Sequence, residues 1–472
     1  MKLSELLSGL CVEARLVFDT EIKAISEDSR KCYENSLFVC IEGEKLDGHG
    51  YIGDAYSRGA RCFAVSRKIA GYDDCNIIFV ENTRKFLAEA SFFLYGNPQN
   101  KLKIIAVTGT KGKSSTALAL YHILASLGKG AALIGTLGAF GFSSGELFNT
   151  TPTPPTLAAA FQGALSCGAE YFILEVSSQA IKHQRLYSLK IDAAIFTNIG
   201  LDHVGDGEHE SFSEYLNAKR RLFTDFGVSL AVVNSDDEYA EFISSGVQKI
   251  IRVGGGGDRK LSDIFCANEG VSFCLEGNFC NTEIFGSFNA YNLSLAAVAV
   301  SELLKIPISV ALSPLRDFQI PGRCERINHL GRIFVIDYAH NAMSAEALLS
   351  ECRRLTEGRL IAVFGSVGGR SFSRRGELAE VISRLADFSV ITSDNPNFER
   401  PEKICREIAA AMKREARFVC VTDRGEAIRY AFAESREGDL IALLGKGQEK
   451  YQTVRGEKIP FCERDIILSL RE

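Results

Sequence analysis

The chain has 472 residues, 46% hydrophobic and 24% charged, which predicts a folded protein of about two to four domains. It carries 54 basic and 59 acidic side chains, and the net charge of -5 argues against a nucleic-acid partner. None of the 14 cysteines forms a C-x-x-C pair, which favours reduced, buried thiols over a zinc site. The sequence shows neither a signal peptide nor an apolar run of about eighteen residues, so we expect a cytoplasmic protein without membrane contact.

The first two-thirds of the chain alternate short apolar runs with helix-like stretches. Residues 1–100 have runs at 36–43, 62–66 and 76–81, which predict a small α/β domain. A buried strand, a glycine-bearing loop and a long helix ending at Gly128 then open a second domain. Its further strand-like runs, which predict a parallel sheet with helices on both faces, lie at 171–178, 193–199 and 230–234.

The pattern changes after residue 250. We expect antiparallel strands at Val271–Leu275 and Glu283–Phe288, followed by a helix from Asn292 to Leu304. Pro321-Gly322 marks a hinge, after which five strand-like runs separated by helical stretches predict a third, doubly wound parallel domain. These runs lie at 333–339, 360–369, 388–396, 418–423 and 439–447.

A phosphate-loop candidate lies between the first strand and the first long helix of the second domain. Such a loop holds phosphates with backbone N–H groups and the helix N-terminus. Lys113 would contact the β- and γ-phosphates of ATP, and Ser114 would ligate Mg²⁺. The spacing departs from G-x-x-x-x-G-K-[ST], because Val107 stands at the first glycine position. The candidate loop consists of Gly109, Thr110, Lys111, Gly112, Lys113, Ser114 and Ser115.

This loop, TGTKGKSS, resembles the version found in the Mur ligase family, and further segments resemble that family in the same order along the whole chain. They are EDSRKCYENSLFVCIEGEKLDGH (27–49), NTTPTPP (149–155), EVSSQAIKHQR (175–185), TNIGLDH (197–203) with YLNAKRRLF (215–223), PGRCERI (321–327) with DYAHNA (337–342), and SDNPNFERP (393–401) with GKGQEKYQ (445–452).

The resemblance implies three α/β domains. They are a small N-terminal domain that binds UDP-MurNAc (1–100), a central P-loop ATPase-like parallel sheet that binds ATP (101–322), and a Rossmann-like C-terminal domain that binds the amino acid (323–472). The DSR, NTTPT and DNP segments are most similar to the branch that adds the third residue of the cell-wall peptide. In that branch ATP converts the D-glutamate carboxylate of UDP-MurNAc-L-Ala-D-Glu into an acyl phosphate, which an amine then attacks. We expect the protein to be a monomer whose partners are small molecules: ATP, the amino acid and UDP-MurNAc-L-Ala-D-Glu.

The resemblance also implies which residues surround the reacting phosphate. Glu175, at the end of a predicted strand, would ligate Mg²⁺ together with Ser114. His203 would ligate a second Mg²⁺ or steady the phosphate. Lys219 matches a lysine that is carbamylated in the family, which turns a cation into a metal-binding anion; a plain surface lysine is the alternative. The expected catalytic residues are Lys113, His203 and Lys219.

The nucleotide and the sugar nucleotide have their own expected contacts. In the family's pattern Asn292 reaches the ATP base, while Arg323 and Asp337 contact its phosphates and ribose after domain closure. His340 is a weaker candidate for the same region. The residues that match the family's UDP-MurNAc-dipeptide contacts are Ser26, Ser29, Arg30, His49, Thr150, Thr151, Ser177, His183 and Arg185. His183 stands where many members have glutamine, and Gln179 where others have histidine.

The identity of the added amino acid depends on position 397. Members that use meso-diaminopimelate read D-N-P-R, and that arginine grips the distal carboxylate; here the residue is Asn397. The acidic neighbours Asp394 and Glu399 suit a distal ammonium, so L-lysine is the leading candidate. L-ornithine stays open, as does meso-diaminopimelate if Arg400 replaces the missing arginine. The expected amino-acid site comprises Arg370, Asp394, Asn395, Asn397, Gly445 and Glu449.

Two other functions compete with this one. Another ligase of the superfamily, such as a folylpolyglutamate or cyanophycin-type enzyme, would share the phosphate loop, but residues 1–98 with their DSR segment argue against it. A non-catalytic paralogue would bind the precursor without turnover. The presence of Lys113, Ser114, Glu175, His203 and Lys219 favours an active enzyme.

Overall fold

The computed structural model describes residues 1–14, 16–43, 46–143, 149–200, 209–267, 270–369 and 372–471. The chain forms two compact units, one of residues 1–259 and 295–306, the other of residues 260–294 and 307–472. All 14 cysteines are unpaired thiols and most are buried, as the sequence predicted. Across the described ranges, no helix is long and apolar enough to cross a membrane.

The N-terminal part of the first unit is built on a four-stranded sheet. Its elements are α1 (Leu3–Gly9), β1 (Ala24–Ser26), β2 (Ser36–Val39), α2 (Ile52–Ser57), β3 (Cys62–Val65), β4 (Asn76–Phe79) and α3 (Thr83–Leu94), with 3₁₀ turns at Ser29–Lys31, Gly48–Tyr51 and Pro98–Lys101. The strands follow chain order across the sheet, and every pair is parallel. Helix α3 begins where the Asn82 side chain accepts hydrogen bonds from the backbone N–H groups of Arg84 and Lys85.

The rest of the first unit is a larger sheet with helices between its strands. Its elements are β5 (Lys103–Thr108), α4 (Lys113–Ser126), β6 (Ala131–Gly135), β7 (Gly138–Phe140), α5 (Pro154–Ser166), β8 (Tyr171–Glu175), α6 (Ser178–Lys182), β9 (Ala193–Phe196), α7 (Phe212–Thr224), β10 (Leu230–Asn234), α8 (Ala240–Ser244) and β11 (Ile250–Gly254). The strand order is β11-β10-β9-β5-β8-β6-β7. All pairs are parallel except the β6–β7 hairpin.

The position of β5 explains where ligands can bind. Residues 104–107 of this strand are fully buried, as expected for an apolar run in a parallel sheet covered on both faces. Strand β5 lies between β8 and β9, and the chain leaves it to build strands on either side. In open α/β sheets, ligands bind at the carboxyl ends of strands where the strand order reverses. The loop after β5 lies at such a point.

The second unit begins with an antiparallel meander and continues with helices. These elements are β12 (Arg259–Ala267), β13 (Gly270–Leu275), β14 (Asn278–Asn281), α9 (Phe288–Leu304), which extends into the first unit, α10 (Ile308–Leu312) and a 3₁₀ turn at Ser313–Leu315. The predicted strand Glu283–Phe288 is wrong. Gly286 adopts a φ of +97°, and residues 283–287 belong to no strand and lead into α9.

The second unit ends in a six-stranded sheet. Its elements are β15 (Glu325–His329), β16 (Arg332–Asp337), α11 (Ala342–Leu355), β17 (Leu360–Phe364), α12 (Phe372–Leu385), β18 (Phe388–Ile391), α13 (Pro401–Ala411), β19 (Phe418–Cys420), α14 (Arg424–Glu434), β20 (Leu440–Leu444), β21 (Tyr451–Val454), β22 (Glu457–Pro460) and α15 (Glu463–Ser469). The order is β15-β16-β20-β17-β18-β19. The five predicted strands are present and pair in parallel, which confirms the predicted α/β class.

Two features of this part of the chain were not predicted. Strand β15 adds an antiparallel edge to β16, and β21 and β22 form a separate hairpin. Both are short and largely polar, and β22 is exposed throughout. Such strands lack the continuous apolar run by which buried parallel strands are recognised.

Candidate functional site

The phosphate loop has the predicted strand–loop–helix setting. Lys113 is the first residue of α4, and its Nζ donates to the carbonyl oxygens of Gly109 (2.8 Å) and Thr110 (3.0 Å). Gly109 has a φ of +153°, and a Cβ there would lie 1.9 Å from Thr197 Oγ1. Only glycine fits this position, because a side chain would collide with Thr197, the residue that follows β9. The lysine ammonium therefore lies across the loop at the N-terminus of a helix, where anions bind.

A buried carboxylate lies beside the start of the same helix. Glu175, the last residue of β8, is 1% exposed and accepts a hydrogen bond from Ser114 Oγ at 3.0 Å. Thr136 donates to it from both its backbone N–H (3.2 Å) and its hydroxyl (3.1 Å). A Cβ at Gly135 would lie 2.2 Å from Glu175 Oε1, so the glycine leaves room for the carboxylate. Hydroxyl and carboxylate oxygens in contact are the ligand types that Mg²⁺ prefers.

Lys219 is not a surface lysine. It is 1% exposed, and its Nζ donates to Gly109 O at 2.9 Å. The ammonium also lies 4.5 Å from the centre of the Tyr215 ring, one helical turn earlier on α7. Tyr215 OH in turn lies 2.9 Å from Thr110 Oγ1. Helix α7 is therefore joined to the phosphate loop by two side chains, of which the sequence analysis had identified only Lys219.

Lys113, Tyr215 and Lys219 border one cavity, which we call the phosphate-loop cavity. Its volume is about 250 Å³. It is lined by Lys113, Asn149, Thr150, Ser177, Ser178, Gln179, His183, Arg185, Tyr215 and Lys219. Six of these are predicted site residues. Thr151, also predicted, lies directly behind the lining: its hydroxyl donates to Glu175 O at 2.8 Å, and its own carbonyl accepts from Arg185 Nη1 at 2.8 Å.

His183 and Arg185 also line a second cavity of about 360 Å³, the arginine cavity. Arg84, at the start of α3, lines it as well, and the remaining lining residues are Glu27, Ile41, Gly43, Leu87, Thr153 and Pro154. Burial lowers the pKa of Arg185, the neighbouring Arg84 lowers it further, and Glu27 opposes the shift. The N-terminus of α5 lies at Pro154, so a helix dipole adds to the positive charge. These features suit an anion.

Arg84 escaped the sequence analysis. Its Nη2 donates to Glu42 O at 2.7 Å, a residue 42 positions earlier in the chain. Nothing in the local pattern of α3 distinguishes this arginine from any other cation at the start of a surface helix. Only the contact between the N-terminal domain and the larger sheet brings it into the cavity.

The first-domain residues of the predicted sugar-nucleotide site are engaged within their own domain and line neither cavity. Ser26 Oγ donates to Asp28 O at 3.0 Å, and Ser29 Oγ donates to Asp54 Oδ2 at 2.7 Å. Arg30 is exposed and forms a bidentate pair with Asp28. His49 Nδ1 lies 2.7 Å from Asp47 Oδ1. The bidentate guanidinium expected of Arg30 is thus present, with an internal carboxylate as its partner.

The predicted nucleotide residues of the second unit form compact local clusters. Asn292 is buried on α9, and its Nδ2 donates to Asn289 Oδ1 at 2.9 Å. The Arg323 guanidinium lies 4.6 Å from the centre of the Tyr338 ring. Asp337, at the end of β16, accepts from the backbone N–H groups of Cys324 and Ala339, each at 2.7 Å. His340 Nδ1 lies 2.8 Å from Tyr338 O.

The predicted amino-acid site centres on a buried lysine. Lys446 Nζ donates to Asn395 Oδ1 (2.8 Å) and Glu449 Oε2 (2.6 Å), and lies 3.8 Å from Asp394 Oδ1. Gly445 leads directly into this group after β20, which brings four predicted residues together. Arg370 and, in the first unit, His203 lie outside the described residues.

The surroundings of Asn397 differ from the expectation in one respect. Asn397 adopts a φ of +53° and pairs through its backbone with Thr453 O (3.0 Å) and Arg455 N (2.5 Å). Glu399, which the sequence analysis offered to a distal ammonium, is already paired with the buried Arg375 and with Lys403. The hydrogen bond from Arg375 is the main reason that its pKa falls to about 2. The Glu399 carboxylate therefore forms ion pairs inside the protein and is not left for a substrate ammonium.

Comparisons with known proteins identify the family of the chain. Three family models match: the catalytic domain of the Mur ligase family at residues 21–92, the Mur ligase middle domain at 107–300 and the Mur ligase glutamate ligase domain at 322–447. The UDP-N-acetylmuramoyl-L-alanyl-D-glutamate–2,6-diaminopimelate ligase of Clostridium perfringens is 35% identical over the full length of both chains. Its namesake in Aquifex aeolicus is 32% identical over 94% of this chain and 93% of its own.

A solved structure of a ligase with that name superposes with a TM-score of 0.64 at 26% identity, covering 95% of this chain and 94% of the other. The sheet topology, the order of the motifs and full-length relatives at more than 30% identity all lead to one conclusion. The chain belongs to the Mur ligase family and is an ATP-dependent ligase.

Proposed function

We propose that this chain uses ATP to join a diamino acid to the D-glutamate carboxylate of UDP-MurNAc-L-Ala-D-Glu, in peptidoglycan precursor synthesis. The observation that carries the proposal is the phosphate-loop cavity, where Lys113, Arg185 and Lys219 surround one space. Joining a carboxylate to a phosphate brings two anions together, and converging cations stabilise that arrangement. The printed names of the relatives, which describe ligation of 2,6-diaminopimelate to this dipeptide, support the same acceptor.

The proposed reaction has two steps. A carboxylate oxygen of D-glutamate attacks the γ-phosphorus of ATP, and ADP leaves. The amine then attacks the acyl-phosphate carbon, phosphate leaves and the nitrogen loses a proton. Lys113, held by two loop carbonyls, would face the transferred phosphate. Arg185, anchored on Thr151 O, would bind a carboxylate or phosphate of the sugar-nucleotide peptide through its planar fork.

Ser114 and Glu175 fit a magnesium ion, because their side-chain oxygens lie 3.0 Å apart and both residues are buried beside the loop. Bound there, Mg²⁺ would neutralise charge on the phosphates of ATP. Carboxylation of Lys219 would add a second anionic ligand group next to the loop. His203 belongs to this proposal on the resemblance alone.

The remaining predictions complete the proposal. Residues 1–100 bind UDP-MurNAc, residues 101–322 bind ATP and residues 323–472 bind the amino acid. Asn292, Arg323 and Asp337 contact the nucleotide, and the enzyme works as a cytoplasmic monomer. The alternative to an enzyme is a non-catalytic paralogue that binds the precursor without turnover. The burial of Lys219 against the phosphate loop supports turnover instead, because burying an ammonium costs several kcal/mol.

Arg84 tests the role of the arginine cavity. We expect Arg84→Ala to raise the KM for UDP-MurNAc-L-Ala-D-Glu by about tenfold to a hundredfold, the value of one or two hydrogen bonds to a charged group. The kcat and the KM for ATP stay within about threefold. Steady-state kinetics measure all three constants. Lys101→Ala, which removes an exposed cation outside both cavities, is the matched control. An Arg84→Ala enzyme with the wild-type KM would remove Arg84 from the site.

The amino acid is proposed to be L-lysine, with meso-diaminopimelate as the alternative. Asn397 favours lysine, whereas the names of the relatives favour diaminopimelate. Glu399 is paired with Arg375, and Asp394 and Glu449 lie beside the Lys446 ammonium, so the case for lysine rests on the neutral amide of Asn397.

Asn397→Arg is expected to shift the ratio of kcat/KM values toward meso-diaminopimelate by about tenfold to a hundredfold. The new guanidinium supplies the bidentate partner that a distal carboxylate needs. Asn397→Gln is the control, because it carries the same strain at positive φ without the charge. Equal preferences in the two variants would show that position 397 does not read the distal group.

The deciding experiment offers the purified protein ATP, Mg²⁺ and UDP-MurNAc-L-Ala-D-Glu, and measures phosphate release with L-lysine, L-ornithine and meso-diaminopimelate separately. Release with L-lysine alone supports the complete proposal. Release with diaminopimelate alone keeps the ligase and rejects the role given to Asn397. If no amine releases phosphate while the UDP substrate binds, the chain is a precursor-binding paralogue.

A further inference from the structure

His209 is a buried imidazole to which no role has been given so far. It precedes α7, and its side chain is wholly inaccessible to solvent. Burying a polar ring costs free energy unless polar groups lie close to its nitrogens. The partners of His209 belong to two different helices.

One ring nitrogen faces α6. His209 Nε2 lies 2.8 Å from the hydroxyl of Ser178, the first residue of that helix. Ser178 is buried and lines the phosphate-loop cavity. The other nitrogen, Nδ1, lies 3.4 Å from Glu214 Oε1 in the first turn of α7. The same carboxylate oxygen lies 3.2 Å from Nζ of Lys182, the last residue of α6. Both ends of α6 are therefore joined to the start of α7.

A third contact leads toward the phosphate loop. The rings of His209 and Tyr215 have their centres 5.3 Å apart. Tyr215 reaches Thr110 of the loop through its hydroxyl, and Lys219 stands one turn later on the same helix. His209 thus occupies the junction between α6, α7 and the phosphate loop.

The junction matters because α6 has only five residues. A helix of one turn has almost no stability of its own and takes its orientation from its neighbours. Ser177, its N-cap, and His183 and Arg185, which follow it, all line the phosphate-loop cavity. The orientation of α6 therefore decides where a substrate bound by these residues lies relative to Lys113 and Lys219.

We propose that His209 is a positioning residue of the ligase, which holds α6 against α7 so that the bound carboxylate lies in line with the phosphate loop. This inference rests on the proposed ligase function and adds a residue that acts through Ser178. A shift of about 1 Å between reacting groups lowers a rate by about a hundredfold.

The test compares three single variants and one double variant. His209→Phe keeps the ring beside Tyr215 and removes both nitrogens; we expect kcat to fall by about tenfold to a hundredfold and the KM for UDP-MurNAc-L-Ala-D-Glu to rise. The Kd for ATP alone should stay within about twofold, because the contact with Tyr215 is kept. His209→Gln, whose amide can reach the serine hydroxyl, should recover kcat to within about fivefold of wild type. Ser178→Ala should lower kcat like His209→Phe, and the double variant should lose little more.

The outcomes separate this inference from the proposed function. If the His209→Phe variant has the kcat and KM of the wild type, His209 has no positioning role, and the ligase assignment is unaffected. Equal losses in His209→Phe and His209→Gln, or additive losses with Ser178→Ala, also overturn it, because a merely structural residue would behave in this way. Absence of turnover in the wild type with every amine overturns both.

Discussion

Lys113→Ala is expected to abolish ligation, lowering kcat by on the order of 10³-fold or more, the scale seen when a charged group that stabilises a transferred phosphate is removed. The Lys113 ammonium is held by Gly109 O and Thr110 O at the N-terminus of α4, so its position does not depend on the substrate. A preorganised cation stabilises developing charge without reorganisation. Alanine removes that charge together with its two hydrogen bonds to the loop carbonyls.

Phosphate release from saturating substrates measures this effect. Lys129→Ala is the matched control, because Lys129 follows the opposite end of the same helix and lines neither cavity. Its kcat should stay within about twofold of wild type, as surface substitutions usually do. A Lys113→Ala enzyme that turns over normally would contradict the assignment of the phosphate loop to ATP.

The second large effect concerns stability. Arg424 and Glu463 form an ion pair whose side chains are both inaccessible to solvent, with Nη2 2.8 Å from Oε1. Arg424 Nη2 also donates to Leu444 O at 2.8 Å. Burial raises the pKa of Glu463, and Arg424 opposes that shift, so the carboxylate depends on the guanidinium for its charge. Removing one partner of a buried pair costs about 3–5 kcal/mol, because the other charge remains uncompensated.

Arg424→Ala should therefore lower the midpoint of thermal unfolding of the second unit by roughly 6–20 °C. Differential scanning calorimetry measures it. Arg429→Ala is the control on the same helix, since its pair with Glu426 is exposed and should change the midpoint by less than about 2 °C. The double variant Arg424→Met, Glu463→Leu should recover most of the loss, because a packed apolar pair can replace a buried ionic one. Equal midpoints for Arg424→Ala and Arg429→Ala would contradict this account.

Several features of the fold were predictable from sequence because their signals are local. The strands β5, β8, β9, β17 and β20 are continuous apolar runs that remain buried whatever packs against them. The phosphate loop is also local, since seven consecutive residues between a strand and a helix supply its main elements. The wrong strand at Glu283–Phe288 and the missed strand β15 lie where polar residues or glycine interrupt such runs.

Side chains that meet across long chain separations were a different matter. Lys219 contacts a carbonyl 110 residues away, and Tyr215 contacts a hydroxyl 105 residues away. The sequence placed Lys219 near the loop only by family resemblance, and nothing marked Tyr215, Arg84 or His209. Glu399 was predicted to face the substrate. Its actual partner, Arg375, lies 24 residues earlier on another element, and the sequence gives no sign of this pairing.

The sequence by itself thus determined the α/β class and the contiguous phosphate loop, since each follows from neighbouring residues and their hydrogen-bonding or burial requirements. The tertiary structure alone decided the burial of Lys219, the two cavities, the pairing of Glu399 and the junction at His209. Those features arise where helices pack on a sheet, and packing brings together side chains whose separation along the chain carries no information about their separation in space.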